Sequence, residues 1–228
     1  MALTIEEILV TPIVQRCSLL FDRATRRGVV IDPGGDAGRI ATRIALLDLT
    51  IERIVLTHGH LDHAGGATDL KHRLGGVPII GPHKADAFLL DAIQDDAEAL
   101  GITGLQRCAP DRWLEDGDVI AVAGTTLLAR HCPGHTPGSI VLVSTAEGLA
   151  VVGDVLFRDG IGRTDFPYGN REDLLDGIRE ILMSLPDETQ VICGHGPLTT
   201  IGRERSLYPY LSEQGSTNSI VQAPPRRA

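Results

Sequence analysis

The sequence predicts an α/β protein folded as a four-layer αβ/βα sandwich. Two observations carry the prediction. Strand-like runs followed by a helical pattern occur in the first half of the chain and again in the second. Several strand ends also run into loops that pair glycine with histidine or aspartate, where a rigid scaffold presents side chains for chemistry. A chain of 228 residues is large for one core but ordinary for two stacked sheets.

Taken in order, residues 5–11 and 14–21 read as strands. A polar turn over 22–27 leads to a strand at 28–31 and to the exit Asp32-Pro33-Gly34-Gly35. Turn and cap hydrogen bonds are the expected work of Asp32, ahead of holding a metal-binding histidine. Residues 40–48 place Ile40, Ile44 and Leu47 at helical spacing. A helix over 64–74 and a strand over 77–80 follow. Over 83–100 the stripe Ala85, Phe88, Leu89, Ala92 and Ile93 predicts a helix. Its outer face carries Asp91, Asp95, Asp96 and Glu98, read as a solvated surface, with a substrate lid as the alternative use.

From 116 onward the pattern is all strand, at 118–121, 125–131, 140–144 and 149–152, with turns at Gly124 and Glu147-Gly148. Asn170 reads as the N-cap of a helix over 172–185 that turns Leu174, Leu175, Ile178, Ile181 and Leu182 inward. A strand at 191–193 and a helix at 200–208 close the fold. Residues 1–211 are expected to form one domain; residues 212–228 have loop composition and are expected to be disordered.

The chemistry centres on Thr57-His58-Gly59-His60-Leu61-Asp62-His63, four metal-capable side chains directly after the apolar run Ile54-Val55-Leu56. In extended chain the imidazoles of His58 and His60 leave on the same side. Asp62 sits where a helix could begin, and an aspartate suits that capping position. Neutral imidazoles and carboxylates packed this closely leave polar groups unmet unless something binds them, and a divalent metal does so. Three further stretches supply ligands that one loop cannot: Pro133-Gly134-His135-Thr136-Pro137-Gly138, Gly153-Asp154 and Gly194-His195-Gly196-Pro197. His72 and His83 lie in surface-like contexts and are read as non-ligands, and His131 as a packing or supporting residue.

The series His-x-His-x-Asp-His, Pro-Gly-His-Thr-Pro-Gly, Gly-Asp and Gly-His resembles the metallo-β-lactamase-fold hydrolases, over about residues 14–206. It is most similar to their glyoxalase II (hydroxyacylglutathione hydrolase) branch. The stretches Phe157 to Pro167 and Pro110 to Leu114 resemble its small bacterial members. The resemblance implies that His58, His60 and His135 bind a first metal, and Asp62, His63 and His195 a second. Asp154 would bridge them, which makes Asp62 and Asp154 the catalytic carboxylates. One or two divalent ions are implied, zinc first, with iron or manganese compatible with the same N and O donors. Two dications lower the pKa of a shared water from ~15.7 towards neutrality. A thiolate leaves without a strong general acid, which favours thioester cleavage over amide or phosphodiester cleavage.

The implied activity is hydrolysis of S-lactoylglutathione or a related thioester to D-lactate and thiol. Arg163 and Tyr168 are candidate contacts for the carboxylates of such a substrate. Pairing of Arg163 with Asp165 to hold a loop is the plainer use, and Arg112 and Trp113 are read as structural. The branch's longer members carry a helical C-terminal domain that is not expected in this chain. In true β-lactamases a Cys, Ser or His commonly stands where this chain has Asp154.

The rival is a mononuclear Fe(II) persulfide dioxygenase on the same fold, whose family also shows a stretch like Gly162 to Phe166. It would use His58, His135 and Asp154 as a two-histidine, one-carboxylate triad. A binding module without catalysis should have lost ligands, and this chain keeps every one expected.

Composition narrows the partners. A formal charge of −9 argues against nucleic acid, whose binding needs a basic surface. Cys17, Cys108, Cys132 and Cys193 form no closely spaced pair, so neither a zinc knuckle nor a redox motif is present. No signal-like start and no run long enough to span a bilayer is visible, and a cytoplasmic location without membrane contact is expected. Oligomeric state is left open.

Overall fold

The computed structural model describes residues 3–208 and Leu211, so the expected disorder of 212–228 lies outside the described residues. Two sheets face each other. The first has strand order β1 (Thr4–Val10), β2 (Gln15–Phe21), β3 (Arg27–Ile31), β4 (Thr50–Val55) and β5 (Ile79–Ile80). Its first three strands pair antiparallel and the last three parallel. Parallel neighbours need crossovers. These are α1 (Ala37–Leu46) and the pair α2 (Leu61–Ala64) and α3 (Ala67–Arg73).

The second sheet is a meander of β6 (Val119–Val122), β7 (Thr125–His131), β8 (Ile140–Ser144) and β9 (Leu149–Gly153). After β9 comes a short hairpin, β10 (Leu156–Phe157) with β11 (Gly160–Ile161). Beside β9 lies the parallel β12 (Gln190–Cys193), then β13 (Thr199–Thr200) at the edge. The crossover from β9 to β12 contains α5 (Arg171–Gly177) and a π-helical turn over Ile178–Leu182, and α6 (Ile201–Leu207) follows β13.

Period-two alternation sorts the side chains into three apolar layers. In β2, Cys17, Leu19 and Phe21 pack outward with Ile40 and Leu70 of the helices, while Leu20 points between the sheets. In β9, Leu149 and Val151 join Leu20 and Val55 between the sheets, while Ala150 and Val152 pack with Leu174 and Ile178. The predicted sandwich is therefore present. Among the described residues no helix is long and apolar enough to cross a membrane.

Some elements differ from expectation. The helix over 64–74 is two pieces, because the chain at Gly66 runs against Pro33 and Gly35. A Cβ on Gly66 would come 2.6 Å from the Pro33 carbonyl oxygen and 2.9 Å from the Gly35 Cα, and the Gly66 amide donates to that carbonyl. The helix over 172–185 changes to π-geometry at Ile178, with Asn170 capping it as read, accepting from the Glu172 and Asp173 amides. The helix in 83–100, α4 (Ala87–Ala99), buries Leu89, Leu90, Ile93 and Ala97. Its inward stripe is rotated from the expected one, leaving Phe88 47% exposed. The acidic face is solvated as expected. The short strands β10, β11 and β13 carry too few residues for a sequence pattern.

Candidate metal centre

The loop after β4, the Pro-Gly-His loop after β7, the end of β9 and the loop after β12 converge at one edge of the sandwich. All seven predicted ligands meet there, in two groups.

The first group is three imidazoles. His58 Nε2 lies 3.1 Å from His60 Nδ1, which lies 3.0 Å from His135 Nε2. The remaining ring nitrogen of each is held from outside. His58 Nδ1 is 3.1 Å from Thr57 Oγ1, whose hydroxyl donates to Asp32 Oδ2. His135 Nδ1–H donates to the Arg163 carbonyl at 2.8 Å, and His60 Nε2 is 2.9 Å from the Tyr168 hydroxyl. The Arg163 carbonyl and the Thr57 hydroxyl, whose proton goes to Asp32, each accept an N–H, so His135 and His58 turn a lone pair inward, while the Tyr168 hydroxyl orients the His60 ring. Two inward lone pairs beside the third imidazole nitrogen make a ready set of metal donors. An ion with bonds of about 2.0–2.1 Å would set such donors roughly 3.3 Å apart, close to the observed spacing.

The second group is Asp62, His63 and His195. His195 Nε2 is 3.1 Å from Asp62 Oδ2, and His63 Nε2 is 3.9 Å from the same oxygen. Asp154 reaches towards both groups: Oδ1 is 3.3 Å from His63 Nε2, and Oδ2 is 3.6 Å from His195 Nε2 and 3.7 Å from His135 Nε2. His63 Nε2 and Asp154 Oδ1 are buried and, despite their proximity, lack the alignment of a hydrogen bond. Two orphaned buried polar atoms side by side are costly unless an ion takes them up. The donor set, histidine nitrogens with carboxylate oxygens, fits a divalent metal in both groups.

Asp62 is not the helix cap expected of it. His60 holds the cap position of α2, no side chain caps it, and the Asp62 carboxylate is turned to His195 instead. Asp32 also does more than close a turn. Its carboxylate accepts from the Thr57 amide at 2.7 Å, the Thr57 hydroxyl at 2.6 Å and His63 Nδ1–H at 2.9 Å. It therefore orients His63 and, through Thr57, His58. Sequence reasoning missed Asp86, which is fully buried and bonded to the loops of His58 and His135. A signal was available: Asp86 falls three, four and seven residues before Leu89, Leu90 and Ile93, on the inward stripe of α4.

His83 and His131 stay outside the centre as read. Their rings stack at 4.2 Å, and His131 Nε2–H donates to the Pro137 carbonyl. Arg163 forms a forked pair with the Asp165 carboxylate, its guanidinium 4.6 Å above the Phe166 ring. Arg112 lies 3.6 Å from Asp118, and Trp113 packs partly buried against the outer core.

Burial and the neighbouring imidazoles hold His58 well below the usual histidine range, and His60 falls from 6.5 to about 3 for the same reasons. Burial lowers His135 too, against the charge of Asp154. His63 moves the other way: burial opposes its proton, but the charges of Asp154 and Asp62 outweigh it. Between 6.5 and about 3 the unfolded chain takes up a proton at His60 that the folded chain refuses, so stability falls with pH through that window. Protonated His63 already makes its full contribution below about 6.5 and adds nothing more as the pH falls further, whereas His58, His60 and His135 go on losing stability. The urea midpoint of metal-stripped protein should therefore drop between about pH 7 and about pH 5. A midpoint that rises on acidification would contradict this arrangement.

Comparison with known proteins agrees with the geometry. The model of the family described as "Metallo-beta-lactamase superfamily" matches residues 11–195. The chain is 42% identical over 213 residues to hydroxyacylglutathione hydrolase GloC of Haemophilus influenzae, covering 93% of this chain and 100% of that protein. Among solved structures it is similar to BLEG-1 B3 metallo-beta-lactamase, at 32% identity and TM-score 0.83, covering 92% of this chain and 100% of that one. It is also similar to TTHA1623 in a di-iron-bound form, at 30% identity and TM-score 0.80, covering 90% and 99%. With the sandwich, the converging loops and the family match in agreement, the chain belongs to the metallo-beta-lactamase superfamily of metal-dependent hydrolases.

Proposed function

We propose that this protein is a metal-dependent thioester hydrolase acting on S-lactoylglutathione or a related glutathione thioester, releasing D-lactate and the free thiol. The observation that carries the reading is the second donor group. Asp62, His63 and His195 stand assembled beside the three-histidine group, with Asp154 between them. The likeness to hydroxyacylglutathione hydrolase GloC supports the substrate class.

His58, His60 and His135 would hold one ion; Asp62, His63 and His195 would hold the other, with Asp154 contributing to both. Bound ions supply an activated water at neutral pH and polarise a carbonyl. Zinc is the first expectation for their identity, with iron or manganese as alternatives. The protein's own work is placement. Asp32 and the Arg163 carbonyl fix ring orientations, and Asp62 and Asp154 stay ionised, because the facing histidines outweigh the burial that opposes their charge. Tyr168, pushed up to about 12 by burial and then by Asp86 and Asp96, keeps its proton and can donate to a substrate oxygen. No strong acid is required, because a thiolate leaves readily near neutral pH.

Tyr168 and Arg163 are the proposed substrate contacts. An incoming carboxylate would exchange with Asp165 on the exposed Arg163 fork. The partner is thus a small anionic thioester, with no nucleic acid or membrane involved, in a cytoplasmic setting.

The second reading, one Fe(II) on His58, His135 and Asp154 in a persulfide dioxygenase, uses side chains that are also in place. It leaves Asp62, His63 and His195 without employment. Parallel assays decide: hydrolysis of S-lactoylglutathione, oxygen uptake with glutathione persulfide, and hydrolysis of a β-lactam. Thioester turnover alone is the expected result, with Arg163→Ala raising KM for this substrate and not for an uncharged thioester. Oxygen uptake with one iron per chain would overturn the hydrolase reading.

A further inference from the structure

Asp86 ends the 3-10 turn over Lys84–Asp86 that leads into α4, and it is fully buried. Its Oδ2 accepts from the Gly59 amide at 2.8 Å and from the Thr136 hydroxyl at 2.7 Å. Its Oδ1 accepts from the Gly138 amide at 2.6 Å. Gly59 separates His58 from His60, and Thr136 follows His135. One carboxylate therefore spans the two loops that carry the three imidazoles. The local space agrees. A Cβ on Gly59 would come 3.0 Å from the Asp86 Cβ, and one on Gly138 would come 2.6 Å from the Asp86 Cγ. Both glycines leave the room this side chain fills. The next turn of α4 approaches the same group from outside: Phe88 stands 5.4 Å from the ring of Tyr168, whose hydroxyl is 2.9 Å from His60 Nε2.

We propose that Asp86 is a positioning residue that sets the spacing of the His58, His60 and His135 nitrogens, and with it the metal affinity of that half of the centre. The inference rests on the metal reading given under Proposed function. Three buried donors on two loops share this carboxylate, so its loss frees both loops at once. Loops that shift by a few tenths of an ångström move three ligand atoms relative to one another, and ligand geometry governs affinity.

The test titrates metal-stripped protein with Zn²⁺ against a chromophoric chelator, and with Co²⁺ by visible absorption. Asp86→Ala should weaken Zn²⁺ binding by roughly 10–100-fold, the range for residues that support metal ligands, and alter the Co²⁺ spectrum. Ile93→Ala, a fully buried position on the same helix, is the stability control and should leave both within about twofold even where its melting temperature falls as far. Asp86→Asn keeps one acceptor oxygen, should fall between wild type and Asp86→Ala, and serves if the alanine variant does not fold. Wild-type affinity in both Asp86 variants, or an equal loss in Ile93→Ala, would overturn the inference. A wild-type chain that binds neither ion would instead overturn the metal reading beneath it.

Discussion

Asp154→Ala should lower thioester turnover by roughly 10³-fold or more while the far-ultraviolet circular dichroism of the fold is retained. The expectation follows from position. Asp154 is the side chain whose oxygens reach both groups, 3.3 Å from His63 Nε2 on one side and 3.7 Å from His135 Nε2 on the other. It stands just past the end of β9, and Oδ1 makes no hydrogen bond to the protein, so the fold loses little packing with it. Its absence leaves the two groups with no shared ligand. His58→Ala should be comparably inactive, because the first group then keeps only His60 and His135. Retained turnover in both variants would show that the chemistry happens elsewhere.

The second large effect is expected at Asp32. Asp32→Ala removes the acceptor for the Thr57 amide, the Thr57 hydroxyl and His63 Nδ1–H, all of them buried. Leaving buried donors unmet and losing bonds to a charged acceptor should cost about 3–5 kcal/mol of stability. Alanine is also poorly suited to the backbone there, where φ is 50°. Metal affinity should fall roughly 10–100-fold, because His63 loses the bond that fixes its tautomer. Urea denaturation with and without Zn²⁺ separates the two losses. If the variant matched wild type in both measurements, Asp32 would be the turn residue its sequence context suggests.

That context shows where sequence reasoning stops. The strands and the sandwich were legible because apolar runs such as Leu149 to Val152, bounded by turn residues, are a local property; which layer each side chain enters came only with the fold. The side chains that converge at the centre were legible as candidates because closely spaced histidines and glycine-flanked turns are conspicuous in the chain itself. Which carboxylates support the site from behind was not. Asp32 and Asp86 each stand near a helix start or a turn, where hydrogen bonding to nearby amides is the ordinary use. Only the folded chain brings Thr57 and His63 to Asp32, and it brings Gly59 and Gly138, far apart in sequence, to a single carboxylate. The rotation of the α4 stripe has the same origin. Asp86 belongs to its inward face, and a buried charge there is invisible to a search for apolar periodicity.

Seven side chains converging as one centre should take up two ions. Metal content per chain, measured on wild type and on His195→Ala after equilibration with excess Zn²⁺ and removal of unbound ion, tests it directly. Wild type should hold two ions, and the variant one, bound by His58, His60 and His135. A single ion in wild type, unaffected by His195→Ala, would contradict it and shift the weight to the one-metal reading.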